Sequence, residues 1–207
     1  MSLNQYLNDV FFPNLADFLT APVNYPEMIW MTIPLVAIFI VMEFYFARYK
    51  DELGWGSATS NSLVLFFIFV DMIRHIYTKY GMDFAFQEHL IVTIPLVVLV
   101  GIIGLLLFIM NFFREMPKRV AFFISSPLTV NYIAYFAIFA VYTETIINTD
   151  ILFAVFVFYL FLLVLFWVIK MAFPEAKIAE NLPDFQKPLP KLTKTPHKIK
   201  KPLPRLK

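Results

Sequence analysis

The chain has 207 residues, with 17 Lys and Arg against 15 Asp and Glu; it is 60% hydrophobic and contains 25 Phe but only 5 Gly, for a mean hydropathy of +0.71. No soluble domain of this length hides that much apolar surface inside one core, so a bilayer is the expected solvent. The absence of cysteine excludes disulfides, thiolate metal sites and thiol redox chemistry.

Residues 1 to 27 hold no Lys or Arg and are interrupted by Pro13, so they lack the basic start of a secretory signal, and the first span must act as the insertion signal. Leu3, Leu7, Val10, Phe11, Leu15, Phe18 and Leu19 recur near helical spacing between Asn4, Asn8, Asp9, Asn14 and Asp17. That pattern predicts an amphipathic helix lying on the outer face of the membrane, kinked at Pro13, as an anchor or as a lid over an outer cavity.

A hydrocarbon layer needs roughly 20 apolar residues at 1.5 Å each. Five stretches qualify: residues 28–46, 58–77, 90–113, 120–142 and 151–173. The expected fold is an all-α integral membrane protein, an up-down bundle of about five transmembrane helices whose short links make successive helices antiparallel neighbours. Placing the N-terminus outside and the C-terminus in the cytoplasm leaves only Arg74 and Lys79 of the 17 basic residues on the outer side, which the positive-inside rule favours. Trp30, Trp55 and Trp167 fall near span ends, where amphipathic rings prefer the headgroup level.

Thr32-Ile33-Pro34-Leu35-Val36 recurs unchanged as Thr93-Ile94-Pro95-Leu96-Val97, each copy with a Glu five residues upstream, at Glu27 and Glu88. The copies open spans one and three, and the following spans begin among small polar residues, Ser57 to Ser62 and Ser125-Ser126-Pro127. This suggests a two-helix hairpin used twice, an arrangement that places sites at the repeat interface in transporters. Chance similarity of apolar runs with an early proline is the competing reading.

Polar side chains at membrane depth are the candidate functional residues. Glu43, Asn61 and Ser125 fall at similar depth and predict an inner polar cluster, Glu43 alternatively reaching the inner interface or pairing with Arg48. Asp71 has Arg74 and His75 one turn onward on the same face, and Asn131 lies near the middle of span four. On span two, Ser57, Ser60, Asn61, Val64, Ile68, Asp71 and His75 form one helical stripe expected to face protein or water. The predicted intramembrane path is therefore Glu43, Asn61, Asp71, Arg74, His75 and Asn131, with Glu27, Glu88 and His89 at the outer mouth. Asp71, His75, Glu88 and His89 are zinc-competent donors, but no recognised ligand spacing joins them, and no metal or other cofactor is assigned. Catalytic signatures are missing as well, so an enzyme is not expected. Gly101 and Gly104 allow close backbone approach, and span five, with nothing more polar than Tyr159 between Ile151 and Ile169, reads as a wall facing lipid or a partner.

From Gln186 the tail carries Lys187, Lys191, Lys194, Lys198, Lys200, Lys201, Arg205 and Lys207 without an acid, and five prolines block helix. An extended, disordered tail is expected. Lys187-Pro188-Leu189-Pro190-Lys191-Leu192 returns as Lys201-Pro202-Leu203-Pro204-Arg205-Leu206, a tandem motif suited to anionic lipid, RNA or a proline-reading domain.

Two functions compete on these residues. One is an oligomeric transporter or channel subunit for an ion or small solute. The other is a non-transporting scaffold or complex subunit whose tail docks a partner. Five spans, an outside N-terminus and a basic tail also resemble the topology of the Oxa/YidC membrane-insertase family, which implies protein insertion. The chain departs from that family in its short first inner link, from about Ala47 to Ser57, and in placing Arg74 toward the outside.

Overall fold

A computed structural model describes residues 2–49, 54–81 and 88–172, except for the side chains of Tyr49, Glu88 and His89. The basic tail lies outside the described residues. Those described are helical, with short connections and no strand: α1 (Leu3–Tyr6), a π-helical turn (Leu7–Phe11), α2 (Phe12–Asn24), α3 (Pro26–Tyr49), α4 (Trp55–Tyr80), α5 (Glu88–Phe113), α6 (Lys118–Ile124), α7 (Pro127–Tyr142) and α8 (Thr149–Ala172). Four are long and apolar enough to cross a membrane: α3, α4, α5 and α8. The pair α6 and α7, bent by 41° at its break, would supply a fifth crossing.

The break falls inside the stretch expected to be one span, and its cause is local. Ser126 is extended, its hydroxyl accepts from the Thr129 N–H, and Pro127 follows at the first helical position. This is a helix start, and a proline there removes the hydrogen bond that would continue α6. At the N-terminus the sequence predicted a kink at Pro13. The chain opens into a π turn just ahead of the proline, which accommodates the lost bond without ending the helix.

The N-terminal helix packs on the bundle, α2 lying against α3 and α8. Phe18 is wholly enclosed, its ring edge-on to Tyr135 and Phe139, while Tyr135 donates to the Phe18 carbonyl at 2.7 Å. Tyr6 donates to Asp150 at 2.9 Å, and that bond, with some burial, holds its phenol above the usual range.

Short links were expected to make successive helices neighbours; that holds for α4 and α5 but not for α3 and α4. Instead α3 packs on α7 and α8, and α7 sits in the centre against α3, α4 and α5. Ala134, Ala137 and Ala140, all fully buried, let neighbours approach α7 from several sides. On α5 the buried residues Leu90, Thr93, Val97, Val100, Gly104, Leu107 and Asn111 advance in alternating steps of three and four, the spacing of a coiled-coil seam. A Cβ at Gly104 would lie 2.9 Å from the Phe66 backbone nitrogen, so only glycine permits this approach of α5 to α4.

The repeated pentapeptides match in part: Thr32 and Thr93 are both buried and Pro34 and Pro95 both exposed, but Val36 is exposed where Val97 is fully buried. The pairing follows suit: α3 packs on α7, α5 packs on α4, and α4 and α7 meet each other. An exchange of α3 with α5 and of α4 with α7 would carry the first two of these pairings onto one another and the third onto itself. The match is approximate, because α5 also touches α7.

Candidate functional site

The α4–α7 interface carries a polar cluster at each end. At the start of α7 the break leaves main-chain groups that no helix can use, and side chains of α4 and α7 take two of them. Asn61 Nδ2 donates to the Ser125 carbonyl at 2.8 Å, and Thr129 Oγ1 donates to the Phe123 carbonyl at 3.0 Å. Asn111, fully buried at the end of α5, donates to Ser62 Oγ at 2.8 Å and Ser125 Oγ at 2.7 Å. Backbone released inside a bilayer needs such partners, and neutral amides supply them without burying charge. Asn111 Oδ1 is left with no hydrogen-bond partner.

Asn61 and Ser125 thus cluster as the sequence predicted, whereas Glu43 joins something else. Its carboxylate is 2% exposed and Oε2 lies 2.7 Å from Lys170 Nζ on α8, close enough for an ion pair but not aligned as a hydrogen bond. Asn111 was missed because it reads as the last polar residue before a basic link. The signal was its place in the three-and-four spacing of α5.

At the opposite end Asp71 is shared. Arg74 approaches its Oδ1 at 2.6 Å, as the i, i+3 spacing predicted, and the Tyr142 hydroxyl donates to Oδ2 at 2.8 Å. His75 stacks on the Tyr142 ring with centroids 4.0 Å apart, and its Nδ1 is 3.8 Å from the exposed Glu27 carboxylate. Lys79 and Tyr80 both reach Glu144 just beyond α7. No group of three metal-ligating side chains converges among the described residues. Glu88 and His89 have side chains outside that set, as do the tail residues Lys187 to Lys207.

Three members of the predicted stripe on α4 meet the α6–α7 segment, Asn61 at Ser125 just ahead of α7 and Asp71 and His75 at Tyr142, while Ser60 is exposed. The more deeply buried line on α4, namely Ala58, Ser62, Leu65, Ile68, Met72 and Ile76, turns mostly toward α5 because glycine lets that helix come closest. Between the two clusters the interior is apolar: Leu65, Met72, Val97, Ala134, Ala137 and Ile138 are each fully buried.

No protein-family model, curated protein or solved structure matches this chain. Its chemistry therefore rests on its own geometry. Asn131, the remaining predicted path residue, joins neither cluster. It donates to the Pro127 carbonyl at 2.7 Å and lines a cavity of about 320 Å³ bordered by α2, α3, α7 and α8.

Proposed function

We propose that the chain is an integral membrane protein of five crossings, with its N-terminus outside and its C-terminus in the cytoplasm, acting as a non-conducting subunit or scaffold. The bundle anchors it, alone or with further copies, and the basic tail docks anionic lipid, RNA or a proline-reading partner. The count of 17 basic residues with only Arg74 and Lys79 left outside supports the orientation.

The observation that carries the reading is the apolar layer between the polar clusters. An ion passing Leu65, Met72, Ala134 and Ile138 would leave its water with no side chain to replace it, at a cost of many kcal/mol. The residues first expected to form one path divide among four places instead: Asn61 at the break, Asp71 with Arg74 and His75 at the far end, Glu43 on α8, and Asn131 at the side cavity. The insertase likeness rests on five spans, the outside N-terminus and the basic tail, and residues 50–54 between α3 and α4 are too few for a helical hairpin.

A specific observation favours the transport reading as second. A broken helix in a bundle that carries a repeated sequence motif is the kind of arrangement that lines substrate sites in several transporter folds. In this chain Asn61, Thr129 and Asn111 already occupy the groups around the break, leaving Asn111 Oδ1 as an unpartnered acceptor there.

Reconstitution of the full chain into liposomes tests the two. Ion and proton flux should equal that of protein-free vesicles for wild type, Asp71→Asn and Glu43→Gln. Flux in the wild type that either substitution abolishes overturns the proposal and establishes a path.

A further inference from the structure

The cavity beside Asn131 has features that neither polar cluster explains. It is bounded by Phe18 and Pro22 of α2, Thr32 and Phe39 of α3, Tyr135 of α7 and Phe158 of α8, and it opens between the exposed side chains Leu19, Val36 and Ile40. Those rims are the faces that a bilayer would cover, so the mouth looks sideways into lipid. No charged residue or histidine lines it. Its volume of about 320 Å³ is at the lower end of the range of small-molecule sites.

Two polar side chains are set into this apolar wall. Thr32 is 7% exposed and Asn131 is 6% exposed, and both Thr32 Oγ1 and Asn131 Oδ1 are buried without a hydrogen-bond partner. The other polar groups on the wall are engaged: Asn131 Nδ2 with the Pro127 carbonyl, Tyr132 with the Val155 carbonyl and Tyr135 with the Phe18 carbonyl. A buried amide oxygen without a donor costs about 1 to 3 kcal/mol, which a donor in the cavity would recover once the side chain shifts to bring the enclosed oxygen to its wall.

We infer that this cavity is a binding site for a neutral lipid alcohol, entered from the bilayer, with the hydroxyl set against Asn131 and Thr32. The chemistry follows from the wall. The lack of ionic groups rejects a charged headgroup. An ester or ketone only accepts and would leave Asn131 Oδ1 unsatisfied, whereas a hydroxyl donates to the amide oxygen and can also accept from Thr32. The aromatic and aliphatic lining takes the adjoining hydrocarbon, and the lateral opening lets a longer chain continue into lipid. Thr32 belongs to the first copy of the repeated pentapeptide, so the site uses one of the two buried threonines that the repeat places alike.

The test uses the full chain in phosphatidylcholine nanodiscs and a diazirine-bearing tetradecanol as photoprobe, with unlabelled tetradecanol and its methyl ether as competitors. Label is expected in the peptides spanning Phe18 to Ile40 and Leu128 to Tyr135, with the alcohol competing about tenfold better than the ether, which cannot donate. Val36→Trp, which blocks the mouth, should abolish the label. Asn131→Leu should keep the label but erase the preference for alcohol over ether. Thr32→Val, which changes shape least, should narrow that preference and guards against a folding defect in Asn131→Leu. Label spread evenly over all the lipid-facing helices, or equal competition by alcohol and ether in the wild type, overturns the assignment and leaves simple partitioning.

Discussion

The two ends of the α4–α7 interface solve different problems with different residues. At the break, Asn61, Ser62, Asn111, Ser125 and Thr129 are neutral, mostly enclosed, and directed largely at backbone or at each other. At the far end Asp71, Arg74, His75, Glu27, Lys79 and Glu144 are ionisable, and several are exposed, with the Arg74 side chain at 70% and Glu27 at 77%. Hydrocarbon tolerates amides and hydroxyls that complete a hydrogen-bond set, but charge is retained where water or headgroups can reach it. The buried end should therefore carry stability and the exposed end little, and substitutions can break that contrast.

The largest effect is expected in the layer that separates the clusters. A side chain at Gly104 would meet the α4 backbone, which cannot withdraw as a ring would. Gly104→Leu should cost about 3 kcal/mol by forcing α5 off α4, seen as a lowered unfolding temperature in detergent or as failure to accumulate. Gly101→Ala should also destabilise, because the new Cβ would lie 2.6 Å from Phe69 Cγ, which turning the ring does not move, so the whole Phe69 side chain must shift. Next comes Asn111→Leu. It removes the donor to both Ser62 and Ser125, and a loss of about 2 kcal/mol is expected in the same assay. A loss smaller than that from any single change at the charged end would reverse the proposed ranking.

The contrast was only partly legible in the sequence. Long apolar stretches fixed four helices to within a few residues, and the i, i+3 spacing of Asp71 and Arg74 named their pair, because both signals are local. Ser126-Pro127 was visible as a helix start but was outweighed by the continuous hydropathy of residues 120–142, since an average over 20 residues does not register a two-residue break. The Glu43 partner was not legible at all. Lys170 is far along the chain, and whether α3 meets α8 depends on how the small residues of α7 let five helices share a centre. For the same reason Thr32 showed only as part of a repeat and not as a cavity wall.

At the charged end the effects should shrink. Tyr142→Phe removes one hydrogen bond to Asp71 while keeping the ring stacked on His75, so about 1 kcal/mol is expected, independent of salt.

Arg74→Gln should change least, although its contact with Asp71 is the shorter of the two at 2.6 Å. Its side chain is mostly in solvent and salt screens it, and exposed pairs of this kind often contribute nothing measurable. Asp71 keeps Tyr142 when Arg74 is replaced, so its carboxylate is not stranded. Unfolding of wild type and Arg74→Gln should coincide at low and at high salt. If Arg74→Gln instead proves more harmful than Tyr142→Phe, and only at low salt, the far end is held by charge rather than by the tyrosine, and the division of labour between the two clusters fails at that point.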